Sequence, residues 1–472
     1  MAQSTKNLIG LSGIPLIMVL GNSMLIPVLP TMQAKMDLSS FQTSLLITSF
    51  SISAGIVIPL AGYLSDRFGR KIVIILALIL YGLGGLLAGL ASLWMDNPYM
   101  LIMAGRILQG IGAAGTAPIA MALVGDLFDG AQESRALGLM ETSNGIGKVL
   151  SPIIGSLLAL IVWYMVFLAF PILCGIILLL FLFLTKEKKQ ERKPIPVKQY
   201  MQSIGKVFKQ HGKWLIPAFF IGSICLFTLF GVLFYLSDLL EKKHKIDGVI
   251  KGGFLAIPLL IMSIAAYVTG LIIKKKLKLM RMFVITGMFL LAASYVIASF
   301  VKGAYALIGV LVIGSVGTGM ILPCLNSMIV GAVQKSERGM ITSLYSGVRF
   351  IGVAVGPPVF TWLLGISRTV MFFSIAGLSL VFAIVGIFFL KPQQTQSQQQ
   401  SQQAESNKED LAEEEKKQKE QQAWRQISEA MGIEPQSKED KRKAEAIKHY
   451  GFDPGDLIDH LLNGGKKEKG KE

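Results

Sequence analysis

Gly62-Tyr63-Leu64-Ser65-Asp66-Arg67-Phe68-Gly69-Arg70-Lys71 is a short, charged, glycine-bracketed turn between two apolar runs, at about 42–64 and 72–94. About 20 apolar residues cross the hydrocarbon of a bilayer, and each run is long enough to do so. Arg67, Arg70 and Lys71 surround one acid, Asp66. Lysine and arginine are enriched in cytoplasmic loops, which places this turn on the inner side. Gly62 and Gly69 permit close helix approach and a sharp reversal that a Cβ would obstruct. The stretch therefore predicts a tight cytoplasmic connection between two membrane-spanning helices.

The rest of the chain has the composition such helices need. It has 472 residues, of which 52% are hydrophobic and 16% charged, against about 25% charged in ordinary soluble domains. The net charge of +16 invites a nucleic-acid reading, but its distribution does not support one. From Lys391 onward 15 Lys and Arg meet 17 Asp and Glu, so the remainder holds 31 basic against 13 acidic residues, a balance of +18. Those basic residues gather in alternate connections, as orientation in a membrane requires. Cys174, Cys225 and Cys324 all fall within apolar runs and read as small buried hydrophobes, not as a disulfide framework. The four histidines lie in loops or in the tail, so no metal site is expected.

Runs of membrane length fall near 8–30, 42–64, 72–94, 100–125, 137–160 and 164–185, then near 214–237, 250–273, 281–301, 304–330, 339–365 and 369–390. Twelve spans return both termini to one side, the cytoplasm. The first run is expected to be a retained helix and not a cleaved signal peptide, given its length and the spans that follow. Cytoplasmic connections would carry Arg67, Arg70 and Lys71; Arg135; Lys186, Lys188, Lys189, Arg192 and Lys193; Lys274, Lys275 and Lys276; and Lys335 with Arg338. The mixed-charge stretch Asp238–Lys251 reads as a loop on the other side. The expected fold is an all-α membrane protein of two six-helix bundles, 1–185 and 214–390. They are joined by a cytoplasmic linker, 186–213, and followed by a polar cytoplasmic tail, 391–472, Gln-rich and then partly helical. In the linker Tyr200, Ile204, Val207 and Phe208 recur at helical spacing, as in a helix lying on the inner leaflet. Gly147-Lys148-Val149-Leu150-Ser151-Pro152 and Gly352-Val353-Ala354-Val355-Gly356-Pro357 share a G-x-x-x-small-Pro pattern six spans apart. That fits two related halves.

The pattern G-x-L-x-D-R-x-G-R-K at 62–71 resembles the loop between helices 2 and 3 of major facilitator superfamily transporters. Arg106-x-x-Gln109-Gly110 is similar to the family's helix-4 motif, whose arginine is associated with coupling-ion transfer; a structural hydrogen-bonding role for Arg106 is the parallel reading. Gly145-x-Gly147…Ser151-Pro152…Gly155 resembles the helix-5 motif of the family's proton-coupled exporters, with Ser151 and Ser156 standing where that pattern has glycine. The resemblance, over about residues 8–390, is to the twelve-helix drug:proton antiporters of the multidrug efflux type. It implies alternating access, the proton as coupling ion and no cofactor. It also implies a cytoplasmic gate of Gly62, Asp66, Arg67, Gly69, Arg70 and Asp126. There Asp66 would meet the start of span eleven and Arg70 would pair with Asp126. Gly147, Ser151, Pro152, Gly155, Gly352, Gly356 and Pro357 would form a hinge, with the glycines packing against the opposite half.

Glu141 reads as the one acid clearly within a span, with Asn144 and Lys148 on the same helix face. Glu141 and Lys148 would stand roughly 10 Å apart along the axis, beyond direct pairing. A carboxylate there can alternate between protonated and charged forms as access switches, so Glu141 and Arg106 are the proton-coupling candidates; pairing of Glu141 with Arg135 near the interface is the plainer alternative. Lys148, Arg349, Asn144, Asn22 and Gln109 are the substrate-cavity candidates. Three basic interior residues against one acid favour a neutral, zwitterionic or anionic amphiphile over a cation. No G-x-x-x-x-G-K-[ST] stretch is present, which argues against direct ATP drive. No His, Cys or paired-carboxylate constellation in the spans suggests an enzyme. The expectation is thus proton-coupled efflux of drugs or other amphiphiles by a monomer in a bacterial plasma membrane, with lipids and substrate as partners and a protein partner for the tail left open. The alternatives are a dedicated exporter or flippase of an amphiphilic metabolite such as a siderophore or lipid, a proton-coupled importer, and a scaffold signalling through its tail.

Overall fold

A computed structural model of the chain describes residues 3–128, 130–185, 196–273, 276–333 and 337–391, with 418 and 422. Most of the tail and the cluster at Lys274 and Lys275 therefore lie outside the described residues. So do Lys186, Lys188, Lys189, Arg192, Lys193 and Lys335. Among the described residues twelve helices are long and apolar enough to cross a membrane. Spans one to six are Ser4–Lys35, Ser40–Phe68, Arg70–Trp94, Tyr99–Leu127, Arg135–Ile161 and Met165–Leu184. Spans seven to twelve are Val197–Lys243, Gly248–Ile273, Leu277–Phe300, Ala304–Gly331, Arg338–Ile366 and Arg368–Phe389. The halves cluster as one unit, Met1–Gln393, separate from Gln394–Glu472.

Local chemistry sets where these helices start, bend and stop. Span two opens with a capping box. The Gln42 backbone N–H donates to Ser39 Oγ at 3.1 Å, and the Ser39 N–H donates to Gln42 Oε1 at 2.9 Å, so two otherwise orphaned donors are satisfied. Span two ends at Gly69, whose φ of 100° and ψ of 140° belong to a region a side chain seldom tolerates. Arg70 already begins span three, so a single residue joins the two helices.

Two spans read as continuous are broken. Span one is helical over Gln3–Ser23, tightens to a 3-10 turn at Ile26–Val28 and resumes over Leu29–Lys35. Pro27 and Pro30 lack the N–H that an unbroken ladder would need. Span four divides into Tyr99–Ala114 and Ala117–Leu127 at Gly115 and Thr116, with Pro118 just inside the second piece.

The linker also differs from the sequence expectation. Val197–Asp238 is one helix of 42 residues, so 197–213 prolongs span seven instead of forming a separate surface helix. Its apolar stripe finds protein in place of lipid. The Tyr200 ring meets that of Tyr63 in span two at 5.0 Å, Phe208 meets Phe219 at 5.9 Å, and Val207 is buried.

Packing repeats across the halves. Span one packs on five and six, two on four, and three on four and six. Six spans later, seven packs on eleven and twelve, eight on ten, and nine on ten and twelve. Even the surface cations repeat. Lys71 Nζ donates to the Thr185 carbonyl at 2.6 Å just past span six, and Arg281 Nη2 donates to the Ile387 carbonyl at 2.5 Å near the end of span twelve. Cations are favoured there because a helix C-terminus presents unsatisfied carbonyls and partial negative charge. The halves meet chiefly through two seams, span two on eleven and span five on eight.

Among the motif glycines Gly145 faces Ser263 of the other half, as expected, whereas Gly147, Gly155, Gly352 and Gly356 serve seams within each half, which corrects the expectation for those four. A Cβ on Gly155 would lie 2.0 Å from the Met24 carbonyl oxygen of span one, and one on Gly147 would lie 3.3 Å from Leu16. In the second half, Gly352 and Gly356 would come within 2.2 Å of the Ser223 oxygen and 2.5 Å of the Phe227 oxygen of span seven. Without a hydrophobic driving force in lipid, such backbone-close contacts hold membrane helices together.

Candidate functional site

The best satisfied charge of the first half is Arg106, buried in span four. Its Nε donates to the Leu46 carbonyl at 3.0 Å, and its Nη1 to the Gly21 carbonyl at 2.9 Å and to Gln109 Oε1 at 2.8 Å. Its Nη2 donates to Asn22 Oδ1 at 2.6 Å, and the guanidinium carbon stands 4.4 Å from the Phe50 ring centre. Asn22 passes a further bond to Ser51 Oγ at 2.7 Å. One planar fork thus ties spans one, two and four together. Asn22 and Gln109, read as cavity candidates, are buried within this network.

Lys148 and Arg349 occupy a different setting, half-buried in spans five and eleven. Lys148 lies within electrostatic reach of both Glu141 and Arg349, which brings charges of the two halves to one place. Arg349 stands 4.6 Å from the Tyr345 ring centre, and its Nη2 reaches Ser346 Oγ only at 3.4 Å. Asn144 Oδ1, Arg349 Nε and the Tyr345 hydroxyl are buried without a hydrogen-bond partner. Glu141 is exposed.

At the end of the bundle that carries the 62–71 turn, Arg70 Nε pairs with Asp126 of span four, and Arg70 Nη2 with Asp66 at 3.3 Å. Arg67 lies over the Phe68 ring at 5.5 Å. A turn before Asp66, a Cβ on Gly62 would stand 2.7 Å from Ser343 Oγ near the start of span eleven. Gly69 completes the group as the connection itself.

The far end carries a second set of links that sequence reasoning missed. Ser237 Oγ donates to the Ile26 carbonyl at 2.9 Å, Thr31 Oγ1 to Glu241 Oε1 at 3.3 Å, and Lys242 Nζ to Gln33 Oε1 at 3.0 Å. Each joins span one to span seven. Glu241 also pairs with Lys251 of span eight, which is only 2% exposed. Asp238–Lys251 is therefore no free loop. Span seven runs on through a π-helical turn, Leu239–Lys243, and span eight resumes at Gly248. Glu141 is accordingly not the one acid within a span. The signal was the seven-residue approach of acids and lysines between Asp238 and Lys251, which reads equally well as a solvated loop. Among the described residues no cluster of His, Cys, Asp or Glu is arranged to hold a metal.

Comparison with known proteins agrees with this architecture. The sequence profile described as Major Facilitator Superfamily matches residues 11–300 and 280–431. A protein of Bacillus subtilis (strain 168) named bacillibactin exporter is 47% identical over 395 residues, covering 83% of this chain and 98% of that protein. The class C tetracycline resistance protein of Escherichia coli is 28% identical over 375 residues, 76% of this chain and 90% of that one. Among solved structures, a bacterial homologue of the human lysosomal transporter Spinster, inward-facing and unoccupied, superposes with a TM-score of 0.68 at 15% identity, covering 84% of this chain and 99% of that one. Its fold is that of the present chain. With twelve spans in two repeated halves, the 62–71 turn joined to Asp126, and a profile match over most of its length, the chain belongs to the Major Facilitator Superfamily as a transporter of the efflux type.

Proposed function

We propose that this transporter exports an amphiphilic metabolite, with a bacillibactin-like siderophore as its first candidate substrate, and that inward proton movement drives the export. The observation that carries the substrate reading is the 47% identity spread over 98% of the relative named bacillibactin exporter. Similarity on that scale reaches both halves and therefore the pathway between them.

Alternating access is supported by the distribution of links. The seams of two on eleven and five on eight run along the halves, while polar contacts between spans one and seven join the halves at the end away from the 62–71 turn. Rocking about the seams exposes a midplane site to one face at a time. In this reading the 62–71 turn faces the cytoplasm of a bacterial plasma membrane and both termini lie on that side. Arg106 holds the first half together through its carbonyl bonds. The proton is then carried by a carboxylate, for which exposed Glu141 beside Lys148 is the candidate.

The test is transport in proteoliposomes loaded with bacillibactin. An imposed proton gradient should accelerate its movement against the direction of proton flow, and a proton-sensitive dye should report matching uptake. Bacillibactin movement indifferent to the gradient would sink the coupling, and no movement at all would sink the substrate.

A further inference from the structure

Two half-buried cations without an ion-pair partner stand near the middle of their spans, one from each half. Counting from Arg135, Lys148 is the fourteenth residue of span five's 27; counting from Arg338, Arg349 is the twelfth of span eleven's 29. A charge at that depth is costly unless it is paired or faces a water-filled cavity. Among the described residues neither cation has an ion-pair partner. The contrast with Arg106, whose fork makes four hydrogen bonds, is one of purpose. Arg349 makes one long hydrogen bond, to Ser346, and lies over the Tyr345 ring, with its Nε buried and without a hydrogen-bond partner.

The groups around the pair are also incomplete. The Tyr345 hydroxyl, one turn before Arg349, and Asn144 Oδ1, one turn before Lys148, are both buried without partners. Buried polar atoms usually find a partner, so unpartnered ones beside a cation leave hydrogen-bonding capacity for a ligand. Lys148 and Arg349, one from each half, lie within electrostatic reach of each other, with the unpartnered Asn144 Oδ1 one turn from Lys148. The acid within reach, Glu141, lies seven residues from Lys148 on an exposed part of span five.

We propose that Lys148 and Arg349 together hold an oxyanion of the transported molecule, so that the substrate is an amphiphilic anion. A guanidinium offers parallel N–H donors that match the two oxygens of a carboxylate or an aryl dioxyanion. Lys148 supplies a point charge from the other half. Because one cation rides on each half, an anion between them also cancels a repulsion that opposes their close approach. The empty carrier is thereby held back from the state that brings them nearest. The inference rests on the export reading and adds to it the charge of the cargo.

The experiment uses the full chain in phosphatidylcholine vesicles with three matched probes: 1-pyrenebutyrate, 1-pyrenebutanol and 1-pyrenebutylamine. Binding is read by fluorescence, and export by release under a proton gradient. The expected result is that the unsubstituted protein binds the butyrate about tenfold more tightly than the amine, the scale of one charge-assisted hydrogen bond. K148Q and R349Q should each remove that preference and leave butanol binding unchanged. K148R and R349K keep the charge, so they should retain the preference; they decide the matter if a glutamine variant fails to fold. Equal binding of all three probes by the unsubstituted protein would overturn the proposal, as would glutamine variants that weaken the butanol just as much. Displacement of the butyrate by added phosphatidylglycerol would assign the pair to a lipid headgroup and overturn its role in cargo binding. Export without charge preference removes this inference alone, whereas charge preference without proton-driven export removes the coupling reading alone.

Discussion

Gly145 of span five and Ser263 of span eight face each other across the seam so closely that a Cβ on the glycine would lie 3.7 Å from the Ser263 Cβ. Native disulfides place their Cβ atoms about 3.8 Å apart. The double variant Gly145→Cys/Ser263→Cys should therefore cross-link under mild oxidant, and the linked peptides should be seen by mass spectrometry. Cys174, Cys225 and Cys324 are buried and far less available to the oxidant. Transport should stop on oxidation and return on reduction. Full activity in completely cross-linked protein would mean that this seam does not move in the cycle.

Arg106 is expected to be more a keystone than a surface for cargo. Arg106→Ala leaves the Leu46 and Gly21 carbonyls and the Asn22 and Gln109 side chains without their donor, a loss of about 3 kcal/mol or more. Arg106→Lys keeps the charge without the planar fork and should recover only part of it. Thermal unfolding of the detergent-purified variants reads the order, which should be native, then lysine, then alanine. An alanine variant as stable as the native chain would remove the structural role.

Lys251 and Glu241 should behave as a buried pair. Glu241→Gln leaves Lys251 buried without its counter-charge and is expected to cost about 3–5 kcal/mol. Glu241→Gln/Lys251→Met replaces both and should restore much of the lost unfolding temperature. If the double variant unfolds no later than the single one, the pair is not the source of the loss.

Glycines of the seams should differ sharply from glycines elsewhere. Gly155→Ala forces a methyl toward the Met24 carbonyl and should destabilise by about 1–3 kcal/mol. Nothing lies within 4 Å of a Cβ at Gly377, so Gly377→Ala should be neutral or gain up to about 1 kcal/mol from helix propensity. Parallel melting curves in one detergent compare the two directly.

Much of this architecture is legible in the sequence because lipid imposes strong rules. Only long, predominantly apolar helices cross it here, so the twelve spans stand out, and the Asp66–Arg70 turn leads to Asp126 through a charge pairing that few alternatives satisfy. The breaks at Met24 and at Thr116 are less legible. Pro27 and Pro118 lie in apolar context, where proline is also tolerated inside helices that neighbours stabilise. The Glu241–Lys251 pair is hidden for another reason. Its partners lie ten residues apart, Glu241 within the π-helical turn and Lys251 in the first turn of span eight, and only the fold between them brings the two together. Which face Gly155 and Gly352 present depends on helix rotation, which spacing alone does not determine.

The single-residue connection at Gly69 has a mechanical meaning. A longer loop would absorb a swing of span two by flexing and leave span three where it was. With one residue between them, span two turns against span three chiefly through the φ and ψ of Gly69. A tilt that span eleven imposes on span two therefore has a short path to span three. Because Arg70 is the first residue of span three, the same tilt pulls directly on its grip on Asp126. The turn thus works as a crank as much as a latch, turning a displacement at the seam into strain on an ion pair in span four.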